Sequence, residues 1–212
     1  MSTQPNITVY FLGASRAIRI SFLLEELGLP YKLAYSNRAT NGVAPIEFKE
    51  KIPTPLGKSP TIKDGDLVVQ ESGAIIQYSL ETSYSYLIDT YDTKSNLLPS
   101  NIPLRCQTYE WLHAAEGTFM LHALAILYAR WKIPEAAKNH LPEMESALSG
   151  NVHNDLNWLE NTLKRQKESG HQYIVGDGLT VADVMMQFSI DFIFTRGLGT
   201  KGNDWPEVKA WL

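Results

Sequence analysis

Polar and special-geometry residues concentrate in residues 55–76, PLGKSPTIKDGDLVVQESGAII. Ser59-Pro60 stands just before the short run Thr61-Ile62, and Glu71-Ser72 stands just before Gly73-Ala74-Ile75-Ile76. Proline cannot donate to a β-ladder, so Pro60 belongs at a strand start, an edge or a special turn. A cis Ser59-Pro60 bond, an uncommon state that usually has a purpose, would aim the main-chain N–H and C=O of Ser59 outward at an extended ligand. Glu71 and Ser72 fall where a helix N-terminus gathers unpaired N–H groups and positive dipole, a setting that suits a carboxylate. The chemistry is recognition of an extended, carboxylate-bearing ligand. The plainer reading is a hairpin followed by a capped helix.

Elements able to position these residues are legible around them. Residues 7–12 are β-rich, with Ile7, Val9 and Phe11 alternating onto one face. Gly13-Ala14 makes a turn, and Ser15 has the type of a helix N-cap. Ile20, Leu23, Leu24 and Leu27 form the apolar stripe of the helix that follows, which stops at Gly28 ahead of Pro30. Residues 31–35 read as a second strand, giving a βαβ unit with parallel strands. Residues 36–45 are polar and loop-like, and a short helical piece over residues 46–51 leads into Pro53 and Pro55. Thr61-Ile62, the turn dipeptide Asp64-Gly65 and Leu67-Val68-Val69 form a hairpin, with a helix after it. The order βαβ then ββα predicts a thioredoxin-like α/β domain over residues 1–84.

Residues 85–101, rich in Ser, Tyr, Asp, Thr and Asn, predict a linker, and residues 102–212 predict an all-α domain. Helical spacing runs through residues 104–132, through Val152, Leu156, Leu159 and Leu163, and through Val181, Val184, Met185, Phe188 and Phe192. Thr180 and Asp183 nearly match a capping box at the start of the last segment, which assigns them to stability.

Composition narrows the function. The 212 residues are 44% hydrophobic and 20% charged, ordinary for a globular protein. A net charge of −4 gives a nucleic-acid role no electrostatic support. The lone Cys106 excludes an internal disulfide framework and is expected to be buried or at an interface. No apolar run approaches a membrane span and MSTQPN lacks a signal-peptide core, so a cytoplasmic location is expected, with no membrane partner. Glu110, His113 and Glu116 share a helix face, but a carboxylate-bridged metal site needs a second such motif, so a polar face and no metal are expected.

GKSP, the hairpin and ESGAI resemble the glutathione-binding half of the cytosolic glutathione transferase family. ITVYFLGASRAIRISFLLEELGLPY and DGLTVADVMM resemble the same family in the same order, over most of the chain, most like its fungal and bacterial serine-type members. The resemblance implies glutathione as co-substrate, a homodimer, and a detoxifying role: thiolate attack on small electrophiles, or peroxide reduction by the same thiolate. It implies that Ser59, across Pro60, pairs its backbone with the cysteinyl unit. Glu71 would take the γ-glutamyl ammonium and Ser72 its carboxylate, while Lys58, with Arg38, would meet the glycyl carboxylate. A free thiol titrates near ~8.5, so the protein must supply donors and positive potential at the sulfur. Ser15 is the serine-type donor, Tyr10 its rival at the end of the first strand, and Arg16 an auxiliary cation that opposes the dipole. Trp111, Phe119 and His122 are expected to line the substrate pocket. No cysteine occupies positions 14–16, which argues against the cysteine-type branch. The contrasting expectation is a glutathione- or ligand-binding protein, or a regulatory one, of this fold and without useful turnover.

Overall fold

Strand β1 (Ile7–Leu12) is the spine of the first of two units in a computed structural model of the chain, which describes residues 6–77 and 97–212. The units are Met1–Leu97 and Leu98–Leu212. Most of the linker expected over residues 85–101 lies outside the described residues.

In the first unit, β1 pairs in parallel with β2 (Tyr31–Ser36) and antiparallel with β3 (Thr61–Asp64). β3 continues antiparallel to β4 (Leu67–Gln70), so the sheet order is β2-β1-β3-β4. Helix α1 (Ala17–Glu26) buries Ile20, Leu23 and Leu24. Its stop follows the sequence signal: Gly28 has φ +64°, Gly28 N donates to Glu25 O and Leu29 N to Leu24 O, the paired bonds of a Schellman end. Helix α2 (Ile46–Lys51) places Phe48 against Leu12 and Ile52, and Tyr10 packs on the same cluster. Helix α3 (Ser72–Gln77) follows β4 directly.

Phe11 departs from the expected face. Ile7 and Val9 are buried, whereas Phe11 is half-buried with its ring 6.0 Å from that of Tyr35. The helix start also differs. The cap position is Arg16 rather than Ser15, because Ile18 N→Ser15 O and Arg19 N→Arg16 O tighten the entry into a 3₁₀-like turn.

The second unit is helical throughout its regular elements. Helix α4 (Ile102–Ala114) starts with Asn101 Oδ1 accepting from Leu104 N at 3.1 Å. A single π-helical stretch, Ala115–Met120, joins it to α5 (Leu121–Lys132). A 3₁₀ piece (Glu135–His140) leads into α6 (Leu141–Glu168), and α7 (Val181–Thr195) and α8 (Pro206–Trp211) complete the unit. The segment predicted over residues 104–132 is therefore helical but not uniform. The π stretch rotates the faces that follow it, and Ser189 Oγ donates to Ala115 O at 3.0 Å within that region. Among the described residues no helix is long and apolar enough to cross a membrane.

The expected cap of α7 is present and reaches further than a cap. Asp183 is buried, and its carboxylate accepts from Thr180 N (3.0 Å), Thr180 Oγ1 (2.9 Å), Ile174 N (2.9 Å) and Trp211 Nε1 (3.3 Å). One side chain thus ties α7 to the preceding loop and to α8.

Candidate functional site

The sheet register brings the chemistry-bearing residues of the first unit to one end. Tyr10 pairs with Thr61 and Thr61 with Gln70, so Ser59-Pro60, Glu71-Ser72 and the β1–α1 turn all follow at that edge. The Ser59-Pro60 bond is cis. Since Pro60 has no N–H, the Ser59 side chain extends the ladder instead. Its Oγ accepts from Leu12 N (3.0 Å) and donates to Tyr10 O (2.8 Å).

That arrangement determines what Ser15 can do. Ser59 has spent its only proton on Tyr10 O, so the 3.3 Å contact between the two hydroxyls has Ser15 as donor. Ser15 Oγ also accepts from Ala17 N at 3.2 Å. At 3.3 Å its bond to Ser59 is long for O–H···O, and the Ser15 proton is cheap to redirect toward an anion at the foot of α1.

Behind Ser72 lies a residue that the sequence reading passed over. Arg19 is 1% exposed and its Nη1 donates to Ser72 Oγ at 3.0 Å, which leaves the Ser72 proton available. The signal was an arginine one turn before Leu23 within a buried apolar stripe. Glu71 is exposed, and its carbonyl accepts from Ile75 N, the first bond of α3. Lys58 is exposed and forms no ion pair among the described residues.

Backbone strain concentrates at this edge. Among the described residues the non-glycine residues with positive φ are Ala14 (51°) and Glu71 (73°), and they immediately precede Ser15 and Ser72. Such conformations cost on the order of 1–3 kcal/mol each and gather at functional sites. Gly57 (φ +54°) packs so closely on α2 that an added Cβ would sit 2.7 Å from Lys49 O. This contact fixes the approach to Lys58 and Ser59. Beside them a cleft of about 380 Å³ is walled by Leu12, Ala44, Phe48 and Ser59.

Other predicted site residues have different positions. Tyr10 packs its side chain on the Leu12, Phe48 and Ile52 cluster. Arg38 is not presented toward a ligand carboxylate: Nε donates to Gly13 O, Nη2 to Ala14 O and Nη1 to Gly42 O, so its fork braces the turn ahead of Ser15. Arg16 is half-buried at the cap position of α1.

In the second unit, Phe119 is 0% exposed and corrects its assignment to a pocket wall. The π stretch turns it into the core beside Trp111 and Trp158, whose rings stack at 4.0 Å. Trp111 is buried too, with part of it on a cleft shared with Gln107, Glu110 and Arg165. His122 is half-buried and its Nδ1 lies 2.7 Å from Asp155 Oδ2. Burial pushes the Asp155 carboxyl above its ordinary value, against the pull of His122. Cys106 is exposed, contrary to the burial considered for it. Glu110 and His113 are exposed, and among the described residues no group of three or more His, Cys, Asp or Glu side chains is placed to hold a metal ion.

A β2-β1-β3-β4 sheet, followed in sequence by an all-helical unit, defines a thioredoxin-like domain joined to an all-α domain. The chain belongs to the glutathione S-transferase family. Residues 5–81 match the family's N-terminal domain (Glutathione S-transferase, N-terminal domain), and residues 120–212 match its C-terminal domain (Glutathione S-transferase, C-terminal domain). Glutathione S-transferase 1 of Saccharomyces cerevisiae is 29% identical over 98% of this chain and 89% of its own length. The crystal structure of a glutathione S-transferase from Actinobacillus pleuropneumoniae is 29% identical, with a TM-score of 0.77 over 97% of this chain and 85% of that one. A glutathione transferase homologue from Lodderomyces elongisporus, solved with two glutathione molecules per subunit, is 26% identical, with a TM-score of 0.70 over 97% and 91% of the two chains.

Proposed function

We propose that this protein binds glutathione at the β1 edge and ionises its thiol for attack on small electrophiles. The observation that carries the reading is the convergence there of the Ser15, Ser59 and Ser72 hydroxyls, with left-handed residues preceding Ser15 and Ser72. In this reading the Ser59 backbone pairs with the cysteinyl unit beside Pro60. Ser72, backed by Arg19, holds the γ-glutamyl carboxylate; Glu71 takes the ammonium, and Lys58 meets the glycyl carboxylate.

The thiol proton passes to solvent, and the Ser15 hydroxyl, keeping its own proton, donates a hydrogen bond to the thiolate, exchanging a long bond to Ser59 for a charge-assisted one. No proton leaves the protein in that exchange, so a serine of ordinary acidity suffices. Tyr10 supports the site through its carbonyl rather than its phenol. The same thiolate would reduce peroxides. We extend the reading to a cytoplasmic location, since an exposed lone thiol at Cys106 suits a reducing compartment, and to a homodimer on the family resemblance alone.

Calorimetric titration with glutathione tests the binding half. Saturable binding is expected, weakened about tenfold in Ser72→Ala by the loss of a hydrogen bond to a charged group. Wild-type protein that binds no glutathione would overturn the proposal.

A further inference from the structure

A cleft of about 470 Å³ in the helical unit has chemistry that the glutathione reading does not use. It is lined by Arg130, Ser146, Ser149, His153, Gly199 and Lys201, from α5, α6 and the loop after α7. That loop, RGLGTKG, carries three left-handed glycines: Gly197 (+56°), Gly199 (+71°) and Gly202 (+88°). A Cβ on Gly199 would lie 3.0 Å from Ile126 Cδ1, 3.1 Å from Val152 Cβ and 3.2 Å from Ser149 Oγ. Glycine is what lets the loop backbone lie against α5 and α6 at the cleft floor.

The charges of the cleft do not cancel. Arg130 grips both oxygens of Glu145, at 2.8 and 2.9 Å, and spends further donors on Arg196 O and Gly197 O. Arg130 in turn holds the Glu145 carboxyl below its ordinary value, against burial. Lys201 pulls it the same way from farther off, so Arg130, Glu145 and Lys201, all on the cleft, leave one positive charge in excess; Lys201 forms no ion pair among the described residues. Around it stand unspent donors. The Ser146 hydroxyl lines the cleft. The Asn203 amide nitrogen lies 3.0 Å from His153 Nδ1 and 3.4 Å from its Nε2, so the imidazole on the cleft wall is already engaged. Among the described residues the N–H groups of Gly199 and Lys201, which line the cleft, donate to no acceptor.

Several donors around one surplus cation suit a tetrahedral oxyanion better than a planar carboxylate. The volume exceeds what a bare phosphate fills and falls in the range of small-ligand pockets. We propose that this cleft binds a phosphate group, free or as a small phosphomonoester, through Lys201, Ser146 and the main-chain N–H groups of Gly199 and Lys201, independently of glutathione.

The test is calorimetric titration of the intact chain with inorganic phosphate and with glycerol 3-phosphate, at an ionic strength held constant with chloride. One saturable site is expected, weakened about tenfold or more in Lys201→Glu and by a smaller factor in Ser146→Ala, with glutathione affinity unchanged. Both residues are exposed, so both variants should fold, and melting curves check this. Tighter binding of the ester assigns the cleft to a phosphorylated small molecule, and equal binding assigns it to free phosphate. No saturable heat with either probe, or an affinity untouched by Lys201→Glu, overturns the proposal.

Discussion

Replacing Asp183 with alanine should destabilise the protein heavily without altering its ligand edge. The Asp183 carboxylate accepts from Ile174 N, Thr180 N, Thr180 Oγ1 and Trp211 Nε1. The Thr180 hydroxyl and the indole can find other acceptors, but the two main-chain donors are in buried bonds. Leaving them unsatisfied costs about 1–3 kcal/mol each, or roughly 2–6 kcal/mol together. Removing the carboxylate returns part of that, because burial holds Asp183 above its ordinary carboxyl value, with the four bonds pulling the other way. A net loss of about 3 kcal/mol follows, which for a chain of this size lowers Tm by roughly 6–12 °C. Circular-dichroism melts measure the loss, and glutathione titration below the transition measures what is left of binding. A Tm within a degree or two of wild type (~2 °C), or affinity lost from fully folded protein, would refute the reasoning.

Gly57→Ala should be costly at a single methyl group, because the position has φ +54° and the new Cβ meets Lys49 O at 2.7 Å. We expect about 2–4 kcal/mol of destabilisation and weaker glutathione binding through displaced Lys58 and Ser59, read by urea unfolding and titration. Glu145 gives a pH dependence of definite sign. Arg130 depresses its folded carboxyl value, so its contribution is present above the unfolded value of about 4.3 and is lost as pH falls through the folded one. The pair is a quarter to a third exposed, so the effect is about 1 kcal/mol. The stability gap between wild type and Glu145→Gln should be open near about pH 7 and narrow as pH falls below about 4.3; a gap independent of pH contradicts it.

What was legible in the sequence was local. The end of α1 at Gly28, the hairpin around Asp64-Gly65 and the cap at Thr180 and Asp183 each depend on a few neighbouring residues, and each forms. Ser59, Glu71 and Ser72 were legible by type, at a strand start and a helix start. The bonds of Ser59 to Tyr10 and Leu12 were not, because they depend on a β1–β3 register set between segments nearly fifty residues apart. Arg38 was misjudged for the same reason: its acceptors are main-chain carbonyls that no pattern reveals. Phe119 was misplaced because helical periodicity carries through Ala115–Met120 on paper, whereas the π stretch there changes which face is buried. Arg19 was hidden by its setting, since a buried arginine in an apolar stripe breaks the very pattern used to find the helix.

Whether the Ser15 hydroxyl ionises the thiol is decided by the ultraviolet thiolate absorbance of protein-bound glutathione against pH, in wild type and in Ser15→Ala. A bound thiol well below the free value of about 8.5 is expected, rising by about one unit (about 1.4 kcal/mol) when the Ser15 hydroxyl is removed. Tight binding with an unshifted thiol would contradict it and make the protein a glutathione binder without turnover. A depressed thiol unchanged by Ser15→Ala would also contradict it, and would assign the stabilisation to the main-chain N–H groups at the foot of α1.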